Sequence, residues 1–271
     1  MSPLLQPSQI AAQMYTLREF TKTASDLAES LAKLSAMGYQ AVQLSAIGAM
    51  NGETPEVSAA EARKMLDDNG LRCIATHRSW DDLVNRTDVE IAFHQALGCD
   101  FTAIGSLPGR YSEQGEVGFR QFVQEARPVI ARLKEAGIRW GYHNHDHEFV
   151  RVPNPGAPLT ARRTRFDVFV DETDADFLLE IDVYWVLHAG VSPERLFERC
   201  KGRVPVIHIK DKEVVPKQGP IMAAIGEGTM DWEHILPACS AAGVEIFAVE
   251  QDVCPRDPFD CLRSSFDYLT Q

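Results

Sequence analysis

The six cysteines of this chain (Cys73, Cys99, Cys200, Cys239, Cys254 and Cys261) include no CxxC pair and are widely scattered. That spacing argues against a disulfide framework and against a cysteine-based zinc site, and fits reduced thiols in a cytoplasmic protein. The first nine residues lack a basic segment followed by an apolar one, so no secretory signal is expected. No run of about 18 apolar residues occurs, so no membrane span is expected. Basic residues are few: Lys and Arg number 27 against 39 Asp and Glu, a net charge of −12. Phosphate backbones need clustered Lys and Arg, so a nucleic-acid partner is disfavoured. No GxGxxG follows the first apolar run, which counts against a dinucleotide fold. No glycine-rich phosphate cradle is evident, which favours an unphosphorylated substrate.

What the sequence does contain is alternation. Across 271 residues, short apolar runs at 10–15, 41–44, 73–76, 101–104, 139–143, 177–181, 204–209 and 246–250 read as strands. Amphipathic helical patterns lie between them at 25–37, 58–69, 82–97, 116–136 and 231–242. Each ends at a glycine (Gly38, Gly70, Gly98, Gly137, Gly243) or runs up to one, as a left-handed cap requires. Strand, helix and glycine repeat about eight times with no linker. This predicts one α/β domain spanning 1–271, a (β/α)8 TIM barrel rather than a doubly wound sheet. The segment 151–176, rich in Pro, Arg and Asp, reads as an insertion after the fifth strand.

In parallel α/β folds, chemistry gathers at the C-terminal ends of strands. Here the third strand ends in Thr76-His77-Arg78 and the fifth runs into Tyr142-His143-Asn144-His145-Asp146-His147-Glu148. The sixth ends in Glu180-Ile181-Asp182, the seventh in His208-Ile209-Lys210-Asp211, and the eighth in Val249-Glu250-Gln251-Asp252. Asp182, His208 and Glu250 each follow an apolar run, where a carboxylate is costly unless paired or metal-bound. One imidazole and two carboxylates suit Mn²⁺, Mg²⁺, Co²⁺, Fe²⁺ or Zn²⁺. His143, His145 and His147 alternate, so His143 and His145 share a face if the strand continues. His77, His147, Glu148 and Trp185 are candidate substrate-binding residues. Lys210 is placed to stabilise an enolate or to pair with Asp211 or Asp182. His94, His188 and His234 read as structural, and Gly226-Glu227-Gly228 permits close backbone approach.

Together with Gly38-Tyr39-Gln40-Ala41-Val42-Gln43, these motifs resemble the sugar phosphate isomerase/epimerase superfamily of xylose-isomerase-like TIM barrels over nearly the whole chain. The resemblance implies one divalent metal (Mn²⁺, Co²⁺, Mg²⁺ or Zn²⁺) held by Glu, Asp, His and Glu from strands five to eight. The last three positions match Asp182, His208 and Glu250; the first is occupied by His143 instead of glutamate. In the ketose 3-epimerases of that group, two glutamates move the proton on opposite faces of the substrate, and His143 breaks that symmetry. A histidine there can ligate, or act as a base when unligated, but not both in one state.

The leading expectation is a metal-dependent isomerase or epimerase of a small sugar, keto sugar or inositol derivative. It would work through an enediolate, with Glu250, His145 and Lys210 as catalytic groups and His143, Asp182, His208 and Glu250 as metal ligands. The alternatives are a dehydratase or lyase of a keto-polyol, as in the inosose and dehydroshikimate dehydratases of the superfamily, and a non-catalytic sugar-binding subunit. The expected partner is a small sugar-like molecule, with self-association into a homo-oligomer left open.

Overall fold

A computed structural model describes residues 3–152 and 163–271. Ten strands occur among them: β1 (Ile10–Gln13), β2 (Ala41–Leu44), β3 (Arg72–His77), β4 (Phe101–Ile104), β5 (Arg139–His143), β6 (Leu178–Asp182), β7 (Val206–Ile209), β8 (Asp211–Val215), β9 (Gly219–Ala223) and β10 (Ile246–Val249). Eight of them close a parallel barrel in the order β1-β10-β7-β6-β5-β4-β3-β2. This is the single-domain TIM barrel that the strand rhythm predicts.

Each barrel strand is covered on both faces, so its residues are buried in both directions while still alternating. Ala11, Ala41, Ala75, Phe101, Ala103, Val206 and Ala248 form one buried cluster. Their neighbours Ile10, Ala12 and Val42 join a second, larger cluster with the apolar stripes of the helices, such as Leu27, Leu31 and Leu34. The first cluster fills the lumen. Small residues dominate it because Phe101 occupies the space: a Cβ on Gly141 would stand 2.7 Å from its ring.

The helices follow the sequence pattern with two corrections. The segment 82–97 is not one helix but two, Trp80–Asn85 and Thr87–Leu97, separated by Arg86 at φ −135°. The stretch after β7 is not a plain loop: β8 and β9 form an antiparallel hairpin outside the barrel. Its turn uses left-handed residues Lys217 and Gly219. The first strand ends at Gln13 and passes into the 3₁₀ segment Met14–Phe20. Of the segment expected to be irregular, 153–162 lie outside the described residues. Its flanks pair at Arg151 and Thr164, and Phe166–Asp171 is helical. No helix among the described residues is long and apolar enough to cross a membrane.

Candidate functional site

Register places the polar residues in one layer at the C-terminal mouth. Gln13 pairs with Gln43 across β1 and β2, His143 with Glu180 across β5 and β6, and Asp182 with His208 across β6 and β7. All of these, and Glu250 just past β10, are buried.

Two carboxylates organise the layer. Glu180 receives His77 Nε2 at 2.5 Å and the side-chain amide of Gln43 at 2.8 Å. His143 Nδ1 and His208 Nε2 lie 3.3 and 3.4 Å from the same carboxylate. Burial alone would raise Glu180, but His77 and His208 hold it well below the usual carboxylate range. Glu250 accepts from Gln13 at 2.9 Å, from His208 Nδ1 at 3.0 Å and from Lys210 Nζ at 2.5 Å. Against burial, Lys210 and His208 hold it ionised.

His208 also donates through Nε2 to Gln43 Oε1 at 2.9 Å, so both ring nitrogens act as donors. Burial opposes its charge, but Glu180 and Glu250 outweigh burial and push its pKa up to about 10. The Lys210 ammonium, fully buried, lies 2.9 Å from both Asp182 and Asp252 as well. These three acids overcome desolvation and raise it well above the usual lysine value. Lys210 therefore pairs with Asp182 and not with Asp211. Asp211 instead accepts four donors, from the backbone of Lys212, Gly226 and Met230 and from Trp232 Nε1, and so pins the hairpin excursion.

Asp182 is raised by burial to about 6, with Lys210 opposing. Its Oδ1 accepts from the backbone of Trp185 and so caps the helix Val183–His188. Its Oδ2 is buried and has no hydrogen-bond partner beyond the ion pair with Lys210 at 2.9 Å. His143 Nδ1 is orphaned in the same sense, and His143 Nε2 lies 4.0 Å from Asp182 Oδ2. Burial first, then the charge on His208, lowers His143 well below the usual histidine value, so its imidazole is neutral. The orphaned Asp182 Oδ2 and the His143 Nε2 that faces it form a donor pair suited to a divalent cation. Asp182, His208 and Glu250 bring ligand atoms within 4.8 Å of one another; so do His77, His143, Glu180 and His208, and also His145, His147 and Glu148.

A cavity of about 310 Å³ opens above this layer, with Gln13, Tyr15, His77, His143, His145, Glu250 and Asp252 among its walls. β5 ends at His143, and the chain has turned by His145, whose ring still reaches the cavity, 4.9 Å from the ring of His143. His145 Nδ1 has no partner, and burial lowers its pKa, so it presents a neutral imidazole. Glu148 stands behind it, fully buried, accepting from Tyr142 Oη at 2.6 Å and from the His145 backbone at 2.8 Å. His147 lies at the rim, outside the cavity walls, 3.0 Å from Glu148. Trp185 packs beside His145 with ring centroids 5.6 Å apart and is likewise not among the lining residues. His94 is buried between Thr76 and the Glu90 carbonyl. His234 is exposed and pairs with Asp231.

Sequence reasoning did not single out Gln13, Gln43, Glu180 or Asp252. Glu180 carries a readable signal, because it lies two residues before Asp182 and so shares its face. Gln13 ends β1 and Gln43 stands one residue before the end of β2, each a polar residue in an otherwise apolar strand.

The sequence matches the family described as xylose isomerase-like TIM barrel over residues 31–258. Among curated proteins, none shows significant sequence similarity to the chain. Solved structures share its fold. A sugar phosphate isomerase/epimerase from Parabacteroides distasonis superposes with TM-score 0.77 at 23% identity, covering 98% of this chain and 96% of its own. A probable 3-DHS dehydratase involved in petrobactin synthesis, from Bacillus anthracis, gives 0.73 at 11%, covering 97% and 99%. An L-ribulose 3-epimerase gives 0.67 at 14%, covering 97% and 93%. At these identities the likeness is one of fold.

Proposed function

Given that the chain belongs to the xylose isomerase-like TIM barrel family, we propose that it is a divalent-metal-dependent isomerase or epimerase of a small, unphosphorylated keto sugar or keto-inositol. Asp182, His208 and Glu250, with His143 as fourth ligand, would hold the ion. When bound, the ion supplies Lewis-acid polarisation of the substrate carbonyl. Ligation through one ring nitrogen of His208 would release the proton that this nitrogen carries, because a ligating imidazole must offer a lone pair.

The remaining steps belong to the chain. The neutral ring of His145, with an unpartnered Nδ1 and a place on the cavity wall, accepts the proton next to the carbonyl. Lys210, kept cationic by Asp182, Glu250 and Asp252, offsets the negative charge that develops on the enediolate oxygen. Gln13, His77 and Asp252 face the cavity and orient hydroxyl groups. Glu180 fixes His77 by accepting from Nε2, and Glu148 fixes the backbone of His145. Return of the proton to the other carbon or the other face completes isomerisation or epimerisation. The observation that carries the reading is the free imidazole of His145 on the wall of a cavity floored by a lysine-neutralised carboxylate cluster.

A second reading, elimination of a β-hydroxyl by a dehydratase or lyase, draws on the same enediolate. It is supported by the histidine at position 143, which leaves one free imidazole and one ammonium in place of two opposed carboxylates. Elimination needs an acid and a base but no mirror-image pair. Manganese-loaded protein incubated in D2O with keto sugars, keto-inositols and 3-keto glycosides separates the two. Deuterium uptake with retention of substrate mass otherwise supports the isomerase. Loss of water with enone absorbance supports the lyase. Neither event with any member of the panel would contradict both.

A further inference from the structure

The segment after β5 carries a second set of metal-type ligands that shares no residue with Asp182, His208 and Glu250. We propose that His145, His147 and Glu148 form a separate rim site for a borderline divalent cation of the zinc class.

The geometry points that way on four grounds. First, one ring nitrogen of His145, one of His147 and a carboxylate oxygen of Glu148 lie within 4.8 Å of one another. Second, the two rings are close neighbours, with centroids 5.6 Å apart. Third, the carboxylate is already oriented. Tyr142 Oη holds Oε1 and the His145 backbone holds Oε2, the outer-sphere support that metal-ligating carboxylates receive. Fourth, His145 Nδ1 is buried without a partner, while the His147 side chain is 43% exposed and gives an ion a way in.

The spacing also fits. His147 Nε2 and Glu148 Oε1 are 3.0 Å apart. Bonds of about 2.0–2.2 Å at a tetrahedral angle would set two ligand atoms about 3.4 Å apart, so the pair need open only slightly. Two imidazoles and one carboxylate favour Zn²⁺, Co²⁺ or Ni²⁺ over Mg²⁺ or Ca²⁺, and leave a fourth position for water. Filling the site takes up one ring nitrogen of His145 and fixes the ring. Resting on the function proposed above, excess zinc is then inhibitory.

Equilibrium dialysis and d–d absorption of Co²⁺ on the full-length, metal-stripped protein test the site without any assay of activity. We expect two Co²⁺ per wild-type chain, and one per chain in both His147→Ala and His147→Gln. The glutamine variant retains a donor for Glu148. Asp182→Asn loses the other equivalent and keeps the rim ion. If the wild type binds one ion and the His147 variants none, the rim site stands and the mouth site fails. If the His147 variants bind as many ions as the wild type, the rim site is overturned.

Discussion

Lys210 Nζ lies 2.5 Å from Glu250 Oε2, both groups buried. The same ammonium neutralises Asp182 and Asp252, so it stands among the carboxylates that the proposed metal would use. Removing one partner of a buried ion pair costs about 3–5 kcal/mol because the other charge is left uncompensated. We therefore predict that Lys210→Met loses about that much stability without metal, and that Mn²⁺ restores more stability to the variant than it adds to the wild type. Urea denaturation with and without Mn²⁺ measures both. A loss no larger than that of an exposed lysine would contradict the assignment of Lys210 as the neutralising group.

Asp211, adjacent to Lys210, has a different task. It accepts from three backbone donors and Trp232 Nε1. Gly228 packs so closely on it that a Cβ there would meet Asp211 Oδ1 at 2.2 Å. Asp211→Asn turns one acceptor towards donors and strands at least one of them, at a cost of about 1–3 kcal/mol. Thermal unfolding of this variant should show the loss, whereas binding of Mn²⁺ by the folded protein should persist.

Glu180→Gln removes the charge that three imidazoles face while keeping the shape. Outer-sphere partners of this kind are worth about 10- to 100-fold in metal affinity or activity. We predict a fall of that order, with the fold retained by circular dichroism. Unchanged turnover would show that Glu180 does not position His77 and His143.

Much of the barrel is legible in the sequence because the physical signals are local. Eight apolar runs recur along the chain, five of them ending in polar residues, and glycines such as Gly38 and Gly243 terminate helices in the left-handed region. The hairpin β8–β9 is harder to see. It is half-exposed and lies outside the barrel, so it lacks the continuous apolar run that marks a buried parallel strand. Asp182, His208 and Glu250 are visible as charges where charge is costly. Glu180 is less visible because its partners His77, Gln43 and His208 come from β3, β2 and β7, and only closure of the barrel brings them together. The roles of Lys210 and Asp211 cannot be told apart in the sequence, since each is one charged residue beyond a strand. The structure gives the former to the carboxylates Asp182, Glu250 and Asp252 and the latter to the hairpin.

His94 provides a pH test away from the mouth. Its Nδ1 donates to the Glu90 carbonyl and its Nε2 meets the Thr76 hydroxyl, an arrangement satisfied by the neutral ring. Burial lowers its pKa below the ordinary value. A group with a depressed folded pKa contributes stability above its unfolded pKa, about 6.5, and loses it as the pH falls towards the folded one. We predict that wild-type stability drops more steeply between pH 8 and pH 5 than that of His94→Gln, as read from urea midpoints.

In the proposed function, His145 is the base that removes the proton next to the substrate carbonyl. Deuterium exchange from D2O into a keto sugar or keto-inositol incubated with Mn²⁺-loaded protein, read by mass spectrometry of the sugar, measures that step. We predict incorporation at a carbon adjacent to the carbonyl by the wild type, and a loss of at least about 100-fold in His145→Ala, within the range of a general base. Exchange at wild-type rate in that variant, or no exchange by the loaded wild type with any substrate of the panel, would contradict it.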